Sequence, residues 1–321
     1  MATKQTNKRS RWHLLGYAVW FQLLFVVMFY WTFPIKSFQG QLQQQLQSAL
    51  SGAMDQQVQL SIGSMSLWRL SGLRLKQVQL KLPNDDGEPT TTIDFDHMQA
   101  RLDLLSSLIG NTTISWGVRL HQQSIDGQLS VNKQSNVSFF SFNISKMQLD
   151  KVALLTAMSG LPTKGELTAN ARMQLGNSAK DLQGSFHLSW QQAAIGPGNM
   201  VLPAFAGIGG ALQLPAIQLG NITIAANAQQ GKLQLQKLEF SGGDLQADIK
   251  GDGKLRSNWQ RTALSGKGWF LLAPEFLKKN PSLKAILSMS PQLQRAKDEQ
   301  NRYPFSVRGT IAWPQFSFGA S

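Results

Sequence analysis

The sequence predicts a mainly β protein: one N-terminal transmembrane helix, then an antiparallel β-sheet interrupted by a few short helices. Three observations predict it. Apolar residues recur at every second position over much of the chain, the period of a strand with one dry and one wet face. Turn dipeptides separate these runs. An uncharged apolar run lies near the start.

That run is "LLGYAVWFQLLFVVMFYWTF", residues 14–33. About 20 helical residues span the roughly 30 Å hydrocarbon layer. The segment exceeds the usual apolar core of a signal peptide and ends in bulky Tyr30, Trp31 and Phe33, so an uncleaved anchor over 13–35 is expected. Trp12, Trp20, Tyr30 and Trp31 are its candidate membrane-anchoring aromatics. Lys4, Lys8, Arg9 and Arg11 precede the span and Lys36 alone closely follows it. The positive-inside rule then leaves residues 1–12 as a cytoplasmic tail and carries the bulk of the chain across the membrane, into the periplasm of a two-membrane bacterium.

Residues 37–56 are Gln-rich with Phe38, Leu42, Leu46, Leu50 and Met54 four apart, which predicts an amphipathic helix docked on the β domain. From Val58 the two-residue period takes over. Val58, Leu60 and Ile62 alternate, as do Val78, Leu80 and Leu82, and later Ile222, Ile224, Ala226 and Ala228. "KGELTANARMQL" (164–175) is the cleanest case, with Leu167, Ala169, Ala171, Met173 and Leu175 on one side. Leu235 and Leu238 change parity, predicting a bulge or a turn. Asp86-Gly87, Asp126-Gly127, Gly220-Asn221, Gly242-Gly243 and Asp252-Gly253 read as tight turns, hence an antiparallel meander.

Helical interruptions are expected at 102–110, at 147–160, and after Asn280, a candidate cap with Pro281 in the first turn. The closing segment returns to alternation through Phe305, Val307, Ile311 and Trp313, and Pro314 marks a strand end or an edge. "GLPTKGEL" is the best candidate boundary, dividing a first β lobe (57–160) from a second (161–321).

The net charge of +13 raises nucleic acid as a partner, but no run of Lys and Arg with interleaved aromatics supports one. With no cysteine, disulfides, thiolate catalysis and Cys-based metal sites are excluded. The four histidines, His13, His97, His121 and His187, lie far apart, and none pairs with an acid at metal-ligand spacing. "GIGG" (207–210) lacks the third glycine of a dinucleotide loop. Asp94 and Asp96 are better read as a solvated edge than as a carboxylate pair. No catalytic, cofactor or metal site is expected.

The order of "LPTKGELTANARMQL", "LQGSFHLSWQQAAIGPG", "LPAIQLGNITIAANAQQGKLQLQKLEFSGGDLQADIKGDGKL", "APEFL" and "YPFSVRGTIAWP" resembles the type II secretion system protein N family (GspN). "MQARLDLLSSLIGNTTISWGVRLHQQSIDGQLSVN" is similar to the first half of that family. The resemblance implies a non-enzymatic accessory or assembly component of protein export across the outer membrane, anchored in the inner membrane with its bulk in the periplasm. Its partners would be the inner membrane and other secretion-system envelope proteins. More distantly, the anchor, the Gln-rich helix and "VQLSIGSMSLWRLSGLRLKQVQL" resemble the AsmA-like envelope proteins. These imply a curved, half-open β-groove and, as the alternative function, binding or conduction of phospholipid along it. The candidate apolar groove residues are Leu167, Met173, Leu175, Leu212, Leu214, Ile222, Ile224, Leu233 and Leu235. Whether a second layer covers that face decides between core and groove.

Overall fold

A computed structural model describes residues 21, 28, 35–54, 57–69, 71–82, 91–121, 123–134, 136–152, 161–176, 178–200, 212–256 and 258–319. Helix α1 (Ile35–Met54) leads into β1 (Gln59–Trp68), β2 (Gly72–Leu82) and β3 (Thr91–Asp103). A short helix α2 (Leu104–Ile109) precedes β4 (Thr112–Leu120), β5 (Gln123–Val131) and β6 (Val137–Gln148). Next come β7 (Thr163–Gln174), β8 (Gln183–Ile195) and a two-stranded ribbon of β9 (Gly198–Met200) with β10 (Leu212–Leu214). The chain then forms β11 (Ile217–Gln229), β12 (Lys232–Ser241), β13 (Leu245–Lys254) and β14 (Ala263–Leu272). Helices α3 (Pro274–Lys279), α4 (Pro281–Met289) and α5 (Pro291–Ala296) precede β15 (Tyr303–Thr310) and β16 (Pro314–Phe318).

Apart from the ribbon, the strands pair in sequence order, β1 to β8 and then β11 to β16, as one 14-stranded antiparallel sheet that curves without closing. Each strand is joined to the next in sequence, the simplest meander. The position between residues 160 and 161 falls between β6 and β7, which pair in register, so the ladder runs through it unbroken.

An open sheet has two edges with unpaired backbone groups. At the β1 edge, α1 supplies partners: Gln39 Nε2 donates to the Ile62 carbonyl and Gln43 Nε2 to the Leu60 carbonyl, both at 2.7 Å. The Val58 N–H donates to Ser51 Oγ at 3.1 Å. Leu42, Leu46 and Leu50 turn inward onto Val58, Leu60, Ile62, Val78 and Leu80, as the four-residue stripe predicts, while Phe38 remains 48% exposed. The rising order of partners from Ile62 back to Val58 shows that α1 runs antiparallel to β1.

Bulges recur across the sheet, one of them between Ser130 and Val131 at the end of β5. Ladder registers shift between Ile144 and Met147, between Lys164 and Glu166, and between Leu235 and Leu238, the last being the parity change read from sequence. Gln77, Lys146 and Gln192 have positive φ near these positions, as do Gly165 and Gly220. An inserted residue bends a strand and sharpens its twist, so the repeated bulges account for the curvature.

Among the helices expected from sequence, 102–110 appears as α2. At 147–160, Met147 and Gln148 instead finish β6, and a single 3₁₀ turn follows at Leu149–Lys151; residues 153–160 lie outside the described set. Ladder pairing of Met147 with Leu167 overrides the helical spacing there. Asn280 precedes α4 but does not cap it with its side chain, whose Nδ2 donates back to the Phe276 carbonyl at 2.8 Å. Ile311 and Trp313 do not continue the final strand. They form the turn before β16, and Trp313 is 81% exposed. Pro314 opens the edge strand, where its missing N–H leaves no ladder bond unmade. Of the expected anchor over 13–35, residues 21, 28 and 35 are described and helical; Trp12, Trp20, Tyr30 and Trp31 lie outside the described set. Among the described residues no helix is long and apolar enough to cross a membrane.

Gly127 faces the Trp116 indole on the neighbouring strand, and an added Cβ would run into that ring. Gly127→Val is expected to cost roughly 1–3 kcal/mol by overpacking, read as a lower urea midpoint with an unchanged slope.

Candidate functional site: an apolar trough

The ladder registers turn the two-residue period into continuous rows. One row begins Leu67, Leu73, Ala100, Trp116, Gly127 and Phe142 on β1 to β6. It continues through Ala171, Phe186, Ala226 and Leu235 on β7, β8, β11 and β12. Gly251, Gly266, Val307 and Phe316 complete it at the far edge. The adjacent row passes from Met65 through Val118, Ile144, Leu188, Ile224 and Ile249 to Phe318. Neither row contains a charged or polar side chain across 14 strands.

Large and small residues alternate along the first row, and the alternation shapes the surface. The Phe142 and Phe186 rings stand two strands apart, yet their centroids meet at 6.5 Å above Ala171. Ala169, Ala171 and Ala193 are 2%, 0% and 0% exposed although no described layer lies over them. Neighbouring side chains must converge above these alanines, which places the apolar face on the inside of the curve.

Among the described residues no layer covers the trough from β7 to β14. Leu167, Met173, Phe186, Leu188, Trp190, Ile224, Leu233, Leu235 and Leu264 are all only half-buried. Described helices meet the sheet at its margins: α1 on β1, α2 beside β4, and α5 against β15 and β16. An isolated half-exposed Leu needs no explanation, but a contiguous run of such residues from β7 to β14 is the kind of exposed apolar patch that marks a binding surface.

Of the nine groove residues read from sequence, the structure brings six together on this floor: Leu167, Met173, Ile222, Ile224, Leu233 and Leu235. Leu175 lies just past the end of β7 and lines a separate cavity of about 620 Å³ with Ser138, Phe139 and Asp181. Leu212 and Leu214 belong to β10, in the small ribbon rather than the main sheet. Sequence reasoning missed Phe140, Phe142 and much of β14. Phe139 beside Phe140 hides the alternation of β6, and inward-facing Gly266 and Gly268 leave only Leu264, Phe270 and Leu272 to mark β14.

The polar face offers no assembled chemistry. His97 sits on it between Lys76 and Arg119. Burial lowers its pKa, with the positive charges of Arg74 and Arg119 adding to the effect, so the ring is neutral at neutral pH. Asp94 accepts a hydrogen bond from Gln79 Nε2 at 2.9 Å. Among the described residues no three His, Asp or Glu side chains come together as metal ligands.

Comparison with protein-family models, with curated proteins and with solved structures returns no match. The functional reading therefore rests on the trough itself.

Leu235→Asp, on the floor, is expected to weaken binding of a fluorescent fatty-acid probe about tenfold or more. Asn227→Asp, on the opposite face of the neighbouring strand, is expected to leave it unchanged. Probe titrations of the two variants check the assignment of faces.

Proposed function

We propose that the protein is a non-enzymatic lipid-binding component of the bacterial envelope, held in the inner membrane by its N-terminal apolar run with its sheet in the periplasm. The trough accommodates the acyl chains of phospholipid. The observation that carries this reading is the charge-free floor from β7 to β14, over which no layer lies among the described residues: a sheet face that served only as core would be closed by a second layer. Acyl chains suit such a surface because they need no hydrogen-bond partners and adapt to a row of unequal side chains. Rows that continue across every strand give a path as well as a pocket.

A second reading, assembly within the type II secretion apparatus, draws on the other end of the sheet. Edge strand β16 is exposed throughout, with Phe316 58% and Phe318 38% exposed, and presents a ladder to which another chain's strand could add.

Native mass spectrometry of the full chain purified in mild detergent separates the two. Co-purifying phospholipid that disappears in the Ile224→Asp variant is the expected result. Secretion-system subunits retained without lipid would replace the first reading by the second.

A further inference from the structure

The turns of the sheet fall on two rims. The lower rim holds the β1–β2, β3–β4, β5–β6, β7–β8, β11–β12, β13–β14 and β15–β16 connections, and the upper rim holds the others. Their charges differ. Arg69, Lys133, Lys180 and Lys232 occupy four lower turns, and Lys254, Arg256 and Arg261 lie together in the β13–β14 connection, all exposed. The acids in those turns are Asp103 and Asp181, the second already accepting from Ser178 through both N–H and Oγ. Upper connections mix the signs, with Asp150, Asp244, Glu275, Asp298 and Glu299 offsetting the cations there.

The lower rim also shows apolar side chains to solvent. Trp313 is 81% exposed, Leu104 53%, and Leu102 and Val137 40% each. The Arg69 guanidinium stacks 4.9 Å from the centre of the Trp68 ring at the same rim. A cavity of about 1010 Å³ opens beside the β13–β14 connection, where Lys180, Lys232, Lys254 and Arg256 surround trough residues Gly253 and Leu264, with Asp252 the carboxylate among them. Finally, α1 runs antiparallel to β1, so its N-terminus, next to the uncharged run 14–33, points toward the lower rim.

We infer that the lower rim lies on the surface of an anionic bilayer, the membrane into which the N-terminal run inserts on the reading above. Exposed cations there contact lipid phosphates, Trp313 and the exposed aliphatics enter the headgroup boundary, and the basic cavity opens the trough onto the bilayer. Charge and helix direction select the same rim, and more of the exposed large apolar side chains lie on it than on the upper rim, where Met289 is 81% exposed.

The absence of native cysteine allows single-site labels in the full chain. Ala312→Cys marks the lower rim and Gln300→Cys the upper. Each carries an environment-sensitive fluorophore, and the chain is reconstituted in vesicles containing a headgroup spin-labelled quencher. In phosphatidylcholine with phosphatidylglycerol, the 312 label is expected to be quenched far more than the 300 label. That excess is expected to vanish at high salt and in the Lys133→Glu, Lys180→Glu, Lys232→Glu triple variant. Equal quenching at both sites, or an excess indifferent to phosphatidylglycerol and to salt, overturns the inference, and the salt series decides it even if the triple variant does not fold. The Ile224→Asp background separates this from the lipid-binding reading: it is expected to lose bound lipid and keep the 312 excess. A chain that keeps its lipid without that excess refutes the orientation alone.

Discussion

The structure depends on antiparallel register held across 14 strands. Side chains alternate between faces, so a one-residue slip in any strand would move its apolar set to the wet side and break every row that crosses it. The register steps at several bulges, and the apolar sets stay on one face across each step. Between Lys164 and Glu166 one residue of β7, Gly165, stands against two of β8, Gln192 and Ala193, and beyond the step Leu167 meets Trp190. The rows thus survive the curvature that the bulges create.

The rows in turn explain why the sheet stays open. Closure would bring β1 and β16 together, yet α1 covers the outer edge of β1 with two glutamine side chains and a leucine stripe. Small residues at alternate places on the floor let the large ones lean together, so the alanines are shielded without a covering layer. Burial is distributed accordingly. The dense core gathers under α1 and the first strands, around Val58, Val78 and Leu149, whereas the later strands keep a smaller cluster at Ala193, Leu219 and Ile222. An apolar surface retained on that scale costs solubility when it faces water, and the lipid occupant proposed above would remove the cost.

Much of this was legible in the residues. Alternation located β7, β11 and β12, and of the bulge or turn that the parity change at Leu235 and Leu238 allowed, the ladder shows a bulge. Of the turn dipeptides, Gly242-Gly243 falls in a connection, but Asp126-Gly127, Gly220-Asn221 and Asp252-Gly253 lie inside β5, β11 and β13, where ladder pairing overrides the local turn signal, and Asp86-Gly87 lies outside the described residues. The failures have physical causes. Inward glycines erase the apolar signal in β14 where packing against Val307 needs no side chain. At Leu149 a spacing that suits a helix is taken over by the end of a ladder. Leu212 and Leu214 alternate as well as any pair, but periodicity names the element and not the sheet it joins. The open state of the trough was not legible at all, since a strand pattern is the same whether its dry face meets another layer or a ligand.

Solvent access along β11 is the most direct measurement of the central claim. Single cysteines at 222 to 228, each spin-labelled in the full chain, report collisions with oxygen and with a polar nickel chelate. An open lipid-lined trough gives a two-residue period, with oxygen favoured and chelate excluded at Ile224, Ala226 and Ala228 and side-chain motion preserved there, while Ile222, buried in its small cluster, is shielded from both. Immobile labels shielded from both reagents on that face would show a closed core, and the account of the trough would fall.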